Sequence, residues 1–227
     1  MPVMYGNVRQ ITLAGPAAEA TDIPFRTTRD GSQIMVPWLQ SLVFAGRVFG
    51  VHFGDITTPI AGHAAIDADQ PEGAVYFAAT GTSVLPISIR ATMETGATTL
   101  AQGGMMCAVS NINVAAGTST SRTANILNQK FTGVGITTAA AAAQAYTGNG
   151  TDPLTSGNFQ ELVRVSGVFD ADAATTGLVM PDLKWLASEE VAPVVEDIGS
   201  ILLYGEAAAN TLFGSMRWAE LPSTYFN

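Results

Sequence analysis

The chain has 227 residues, of which 47% are hydrophobic and 13% charged. This composition excludes a disordered protein, and a charged fraction of about half the usual ~25% favours a surface that is partly covered by other protein copies. The net charge is −9, with few and scattered basic residues, so we expect no direct nucleic-acid binding.

The N-terminal part predicts one short strand followed by an arm. We expect a strand near Val8–Leu13, and residues 15–31, rich in Thr, Pro and Asp, predict an extended arm or loop. The first residues lack a basic segment followed by an apolar one, which predicts no secretory signal. No apolar run is long enough to cross a bilayer as a helix, so we expect synthesis in a cytoplasm and no membrane insertion.

Residues 41–53 alternate with large apolar side chains on both faces. This pattern predicts a strand that is buried on both sides, or buried on one side and placed at a subunit contact on the other. Phe49, Val51 and Phe53 are therefore interface candidates.

Residues 84–95 carry the clearest structural signal, an alternation of apolar and polar residues with a period of two. Such a period predicts a strand with one dry and one wet face and is incompatible with an amphipathic helix. The predicted core face holds Leu85, Ile87, Ile89, Ala91 and Met93. The predicted solvent face holds Pro86, Ser88, Arg90, Thr92 and Glu94.

Short apolar segments separated by turn residues predict the rest of the fold. Strands are expected at Ala74–Ala79, Met105–Val109, Phe159–Phe169, Ser200–Gly205 and Phe213–Leu221. The alanine run in Thr138–Tyr146 predicts the one helix. Residues 147–158 are rich in turn residues and fit a linker between two domains, but a surface loop inside a single domain is favoured because no second set of strands long enough for an independent fold follows. About eight or nine short strands indicate an all-β sandwich or barrel.

Residue types that carry chemistry are scarce. Cys107 lies among apolar neighbours and is expected to be buried and inert, and His52 and His63 lack further ligands at a diagnostic spacing. We therefore predict no catalytic residue, no cofactor site and no metal site. An irregular calcium site near Asp67 and Asp69 stays open beside the simpler interpretation of a polar turn.

The last predicted strand places Met216, Trp218 and Glu220 on one face and Arg217 on the other. Trp and Arg are common at the energetic centres of interfaces, which makes Arg217 and Trp218 interface candidates. A core tryptophan and a surface arginine explain the same pattern equally well, and the sequence leaves both interpretations open.

Four segments together carry a resemblance to a known group of proteins: Gly73–Ala79, Thr80–Ser83, Val84–Ile89 and Trp218–Pro222. With them, the layout of residues 41–222 resembles the jelly-roll structural proteins of bacteriophage virions, including capsid proteins of small tailless phages. The resemblance implies a single jelly-roll β-sandwich of about eight antiparallel strands. We assign this domain to residues 41–227, after an N-terminal strand and extended arm at residues 1–40. It also implies assembly as a trimer or higher homo-oligomer with other virion proteins. The chain lacks the basic N-terminal arm of many capsid proteins.

The sequence therefore predicts a capsid shell subunit of a virus particle, made in the host cytoplasm, that self-assembles and is not an enzyme. The alternative is a virion decoration or glycan-binding jelly-roll module, for which Tyr146, Asn149 and Asp152 come closest to a binding platform. A cupin-type enzyme would need a cluster of histidines on the strands.

Overall fold

The computed structural model of the chain describes residues 37–55, 57–62, 71–78, 80–95, 102–110, 119–121, 125–130, 138–146, 158–167, 182–189, 191–206 and 211–225. These ranges contain one α-helix, α1 (Trp38–Phe44), and a 3-10 helix at Ser223–Tyr225. The strands are β1 (Val48–Phe53), β2 (Ile60–Ala61), β3 (Gly73–Phe77), β4 (Thr82–Thr95), β5 (Gln102–Ser110), β6 (Ser119–Ser121), β7 (Leu127–Asn128), β8 (Ala140–Tyr146), β9 (Asn158–Gly167), β10 (Asp182–Leu186), β11 (Val195–Glu196), β12 (Gly199–Glu206) and β13 (Thr211–Pro222).

The strands form two antiparallel sheets packed as a sandwich. The first sheet has the order β10-β4-β13-β1-β7, with β11 paired to β4 and β2 paired to β13. The second sheet has the order β6-β8-β3-β12-β5-β9. The main hydrophobic core lies between the sheets and takes side chains from both. This arrangement confirms the predicted all-β sandwich.

Eight of the strands pair in a nested order that identifies the topology. Strand β1 pairs with β13 and β4 with β10 in the first sheet, while β3 pairs with β12 and β5 with β9 in the second. The first half of the chain is thus laid antiparallel against the second half, and successive pairs alternate between the sheets. This is the strand order of an eight-stranded jelly roll, β1-β13-β4-β10 facing β3-β12-β5-β9.

Trp218 of β13 lies at the centre of the core and is fully buried. Its ring stacks on Phe49 with centroids 6.3 Å apart and meets the edge of Phe77 at 5.6 Å, so it contacts both sheets. Aromatic pairs at these distances stabilise a core beyond the area that they bury.

Residues 38–44 form a helix, so the predicted strand over residues 41–53 is wrong in its first half. The helix ends in a Schellman motif, in which the Gly46 amide donates to the Val43 carbonyl and the Arg47 amide to the Leu42 carbonyl. Gly46 has a φ of +71°, a conformation that glycine adopts without strain. The chain then enters β1, where the strand prediction is confirmed.

A β-bulge interrupts the alternation of inward and outward side chains along β4. Met216 pairs with Ile89, but Trp218 pairs with Pro86, so Ile87 is an extra residue with no partner on β13. Ile89 and Ala91 face the core as predicted. Leu85 and Ile87 instead lie on the outer face of the first sheet, the side away from the second sheet, and Pro86 is buried.

The predicted helix over Thr138–Tyr146 is wrong, because residues 140–146 form β8 between β3 and β6. The strand is fixed at its start by hydrogen bonds from the Thr138 hydroxyl and the Ala139 amide to the Glu220 carboxylate. Pairing with β3 thus overrides the helix propensity of the alanines.

The other five predicted strands are confirmed as β3, β5, β9, β12 and β13, with ends that differ by a few residues. The predicted strand near Val8–Leu13, the arm at residues 15–31 and all but the last residue of the loop at residues 147–158 lie outside the described residues. The predicted boundary between residues 40 and 41 falls inside α1.

Candidate functional site

The outer face of the first sheet carries a groove of about 340 Å³ beside α1. The helix contributes Trp38 and Leu39, and β4 contributes Leu85 and Ile87. The bulge in β4 is what brings Ile87 to this face, since an uninterrupted strand would turn it toward the core. The groove is therefore lined by large apolar side chains at the protein surface.

Helix α1 is anchored by one side only. Leu42 is buried in a small cluster with Val48, Ala219 and Leu221 on the outer face of the sheet. The other large side chains of the helix remain in solvent, with exposed fractions of 45% for Trp38, 40% for Leu39 and 50% for Phe44. A short helix with this much exposed apolar surface is typical of a contact site for another molecule.

Two arginines border the apolar part of the groove. Arg90 and Arg217 are both exposed and both line it. Arg90 lies opposite Lys184 of β10 and Ser215 of β13, so three cationic side chains share one region of the outer face. Within the part of the chain that the structure describes, neither arginine forms an ion pair. A chain of net charge −9 thus carries a locally basic surface here.

An acidic segment begins at the rim of the same groove. Residues 189–198, which we call the acidic strip, contain four acidic residues and no basic one. Three apolar side chains of the strip are exposed, to 96% for Val191, 49% for Val194 and 36% for Ile198. The carboxylate of Glu189 already contacts the basic surface, with its Oε1 3.4 Å from Nζ of Lys184.

The acidic strip is fixed to β4 at both ends. The Ala187 amide donates to the Ile87 carbonyl, just before the strip. At the far end, Val195 and Glu196 pair with β4 as β11, and Asp197 accepts a hydrogen bond from the Gly81 amide at 2.6 Å. In the middle of the strip Val191 is 96% exposed, whereas the next residue, Ala192, packs against the main core.

A buried carboxylate occupies the inner side of the same region. Glu220 is 5% exposed, and its oxygens accept hydrogen bonds from Trp218 Nε1 at 2.8 Å and from Thr138 Oγ1 and the Ala139 amide at 2.6 Å each. Three donors satisfy this acceptor, which explains how a carboxylate is accommodated there. The group ties β8 of the second sheet to β13 of the first.

The structure separates the five predicted interface residues into two groups. Phe49, Val51, Phe53 and Trp218 are each at most 2% exposed and belong to the main core, where no partner can reach them. This burial corrects the interface assignment for these four, because their side chains point between the sheets. Arg217 is exposed and lines the groove.

Most of the residues considered for chemistry lie outside the described residues. His52 is exposed on β1, whereas His63, Asp67, Asp69, Asn149 and Asp152 lie outside the described residues, as do the side chains of Cys107 and Tyr146. No group of three or more His, Cys, Asp and Glu side chains that could hold a metal ion occurs among the residues that the structure describes. The described helices include none that is long and apolar enough to span a membrane.

The groove was not predicted from the sequence. Gly46 after an apolar segment is a helix-end signal that could have revealed α1, and the outward position of Arg90 and Arg217 follows from the period of two. No sequence signal indicates that α1 lies beside Leu85 and Ile87.

Comparisons with known proteins find no match for this chain among protein-family models, curated proteins or solved structures.

Proposed function

We propose that this chain is a self-assembling structural subunit of a virus particle, a capsid-type shell protein. The observation that carries the proposal is the nested pairing of eight strands in jelly-roll order. Jelly rolls of this kind occur in viral capsid subunits and also in lectin domains and cupins, so the fold alone does not decide the function.

The surface supports assembly as the role of the fold. The chain has few charged residues, and the exposed aromatic side chains among the described residues, Trp38 and Phe44, lie together on one helix with the exposed Leu39. Depletion of charge and exposure of aromatic side chains are typical of surfaces that are covered by protein partners. The chemistry of the subunit is accordingly association, in a trimer or higher homo-oligomer within the virion, without catalysis or a cofactor.

The test is whether the purified chain assembles. Light scattering coupled to size exclusion should give complexes of at least three 23.6-kDa chains, and electron microscopy should show closed particles or regular rings. A chain that stays monomeric at micromolar concentration and forms no particles would overturn the proposal, and glycan binding by that monomer would favour the decoration or glycan-binding alternative.

A further inference from the structure

We infer that the groove beside α1 is a docking site for the acidic strip of a second copy of this chain. The inference rests on the proposed function for the identity of the partner, since self-assembly brings copies together. It adds the surfaces that meet: Trp38, Leu39, Ile87 and the two arginines on one copy, and residues 189–198 on the other.

The apolar parts of the two surfaces complement each other. The groove exposes aromatic and aliphatic side chains, while the strip exposes Val191 to 96% and Val194 to 49%. Removing both surfaces from water in one contact is favourable, roughly in proportion to the apolar area that is buried. The groove, at about 340 Å³, is large enough for a few aliphatic side chains.

The charges complement each other as well. Arg90 and Arg217 lack an ion pair among the described residues, and the strip carries Glu196 exposed on its surface. Opposite charges at the rim of an apolar contact fix its register and disfavour wrong partners. The contact of Glu189 with Lys184 within one chain shows that carboxylates of the strip are compatible with this basic surface.

The strip of the same chain does not fill the groove. Hydrogen bonds to β4 hold the strip on both sides of Val191, and this side chain remains 96% exposed. A second copy is therefore the occupant that supplies an acidic and apolar segment. Because the strip begins at the groove rim, strip and groove form one continuous surface, which suits reciprocal pairing of two copies about a twofold axis.

The experiment is a charge exchange with complementation. The groove variant is Arg90→Glu/Arg217→Glu, and the strip variant is Glu189→Lys/Glu196→Lys. The control is Arg164→Glu on β9, an exposed position of the second sheet with the same change of charge as one groove substitution. Circular dichroism and thermal melting establish that each variant is folded, and analytical ultracentrifugation measures self-association.

We expect each double variant alone to associate at least about tenfold more weakly than the wild type, because like charges then face each other. An equimolar mixture of the two variants should regain wild-type association, since Glu in the groove of one meets Lys in the strip of the other. The control should associate like the wild type.

The outcomes separate this inference from the proposed function. If both variants form particles and associate as strongly as the wild type, the docking site is overturned and the proposed function stands. The same holds if the mixture of the two variants does not recover wild-type association. Association that follows the charge exchange but never yields particles supports the docking site and overturns the shell function. A wild-type chain that stays monomeric overturns both.

Discussion

The two faces of the first sheet differ in how far their side chains are buried. On β13, Met216 and Trp218 point inward and are at most 1% exposed, while Arg217 between them points outward into solvent. The inner face is closed by a second sheet, whereas among the described residues Leu42 of α1 covers one end of the outer face. The inner face thus forms the hydrophobic core, and the outer face leaves polar and apolar side chains in contact with solvent.

The β-bulge in β4 changes which residues of this strand point to each face of the sheet. It removes Ile87 from the core and adds it to the groove, next to the exposed arginines. One inserted residue therefore turns a position that alternation assigns to the core into part of the outer surface.

Ile89→Asp should unfold the chain. Ile89 is fully buried, and an unpaired carboxylate there costs several kcal/mol, which is comparable to the whole stability of a domain. Ile87→Asp, two residues away on the outer face, should cost about 1–2 kcal/mol and leave the fold intact. Soluble yield and urea denaturation of the pair measure the difference, with Arg90→Ala as a control that stays within about 0.5 kcal/mol. Equal effects of the two aspartates would contradict the bulge.

Glu220→Ala should destabilise the chain by about 3–5 kcal/mol, because it leaves the donors from Trp218, Thr138 and Ala139 without their acceptor. Urea denaturation measures the loss. The matched control is Glu196→Ala, an exposed glutamate on β11 for which the change should stay within about 0.5 kcal/mol. If both variants were equally stable, the carboxylate would not be holding β8 to β13.

Gly46→Ala should cost about 1 kcal/mol, since a side chain is disfavoured at a φ of +71°. Because Gly46 ends α1, the substitution should also weaken self-association through the groove while the core remains folded. Thermal melting and ultracentrifugation give the two quantities. Gln40→Ala, at an exposed position of the same helix, should change neither, and the same loss in both variants would argue against a role for the helix end.

Glu161→Gln should have the smallest effect, at most about 0.5 kcal/mol, because the residue lies at the solvent-exposed edge strand β9. The hydrogen bond from Arg164, and then its positive charge, lower the pKa of the Glu161 carboxyl from 4.5. A lowered pKa stabilises the folded chain above the pKa of the unfolded state, and this contribution is lost as the pH falls through the folded pKa.

The measurement for this pair is the stability difference between wild type and Glu161→Gln as a function of pH. The difference should be present at neutral pH and disappear in acid. A difference that grows as the pH falls would contradict the sign of the shift.

Most strands could be predicted from the sequence because each one depends on its own residues. The inward direction of Ile89 and Ala91 follows from apolar alternation and needs no knowledge of the neighbouring strands. The same reasoning failed where a neighbouring strand determines the secondary structure. The alanines of β8 are helix formers until β3 and Glu220 hold them extended.

The candidate site was less predictable for the same reason. The outward direction of Arg90 and Arg217 is a local property and was predicted. The groove needs α1 to lie beside β4, and α1 was hidden because residues 41–53 also alternate. The bulge at Ile87 is an insertion in the pairing of two strands, so the alternation within one strand cannot reveal it.

The nested pairing of the strands determines when the first sheet can be completed during synthesis. Strand β13 lies in the middle of the first sheet, between β4 and β1, yet it follows every other strand in the chain. The ribosome delivers it after the strands that it joins, so the first sheet cannot close while those strands are being synthesised. Until then Ile89 and the aromatic side chains of β1 lack their partners, and the outer surface is not yet built. Arg217 of β13 lines the groove, so the groove is complete only once β13 has joined the first sheet.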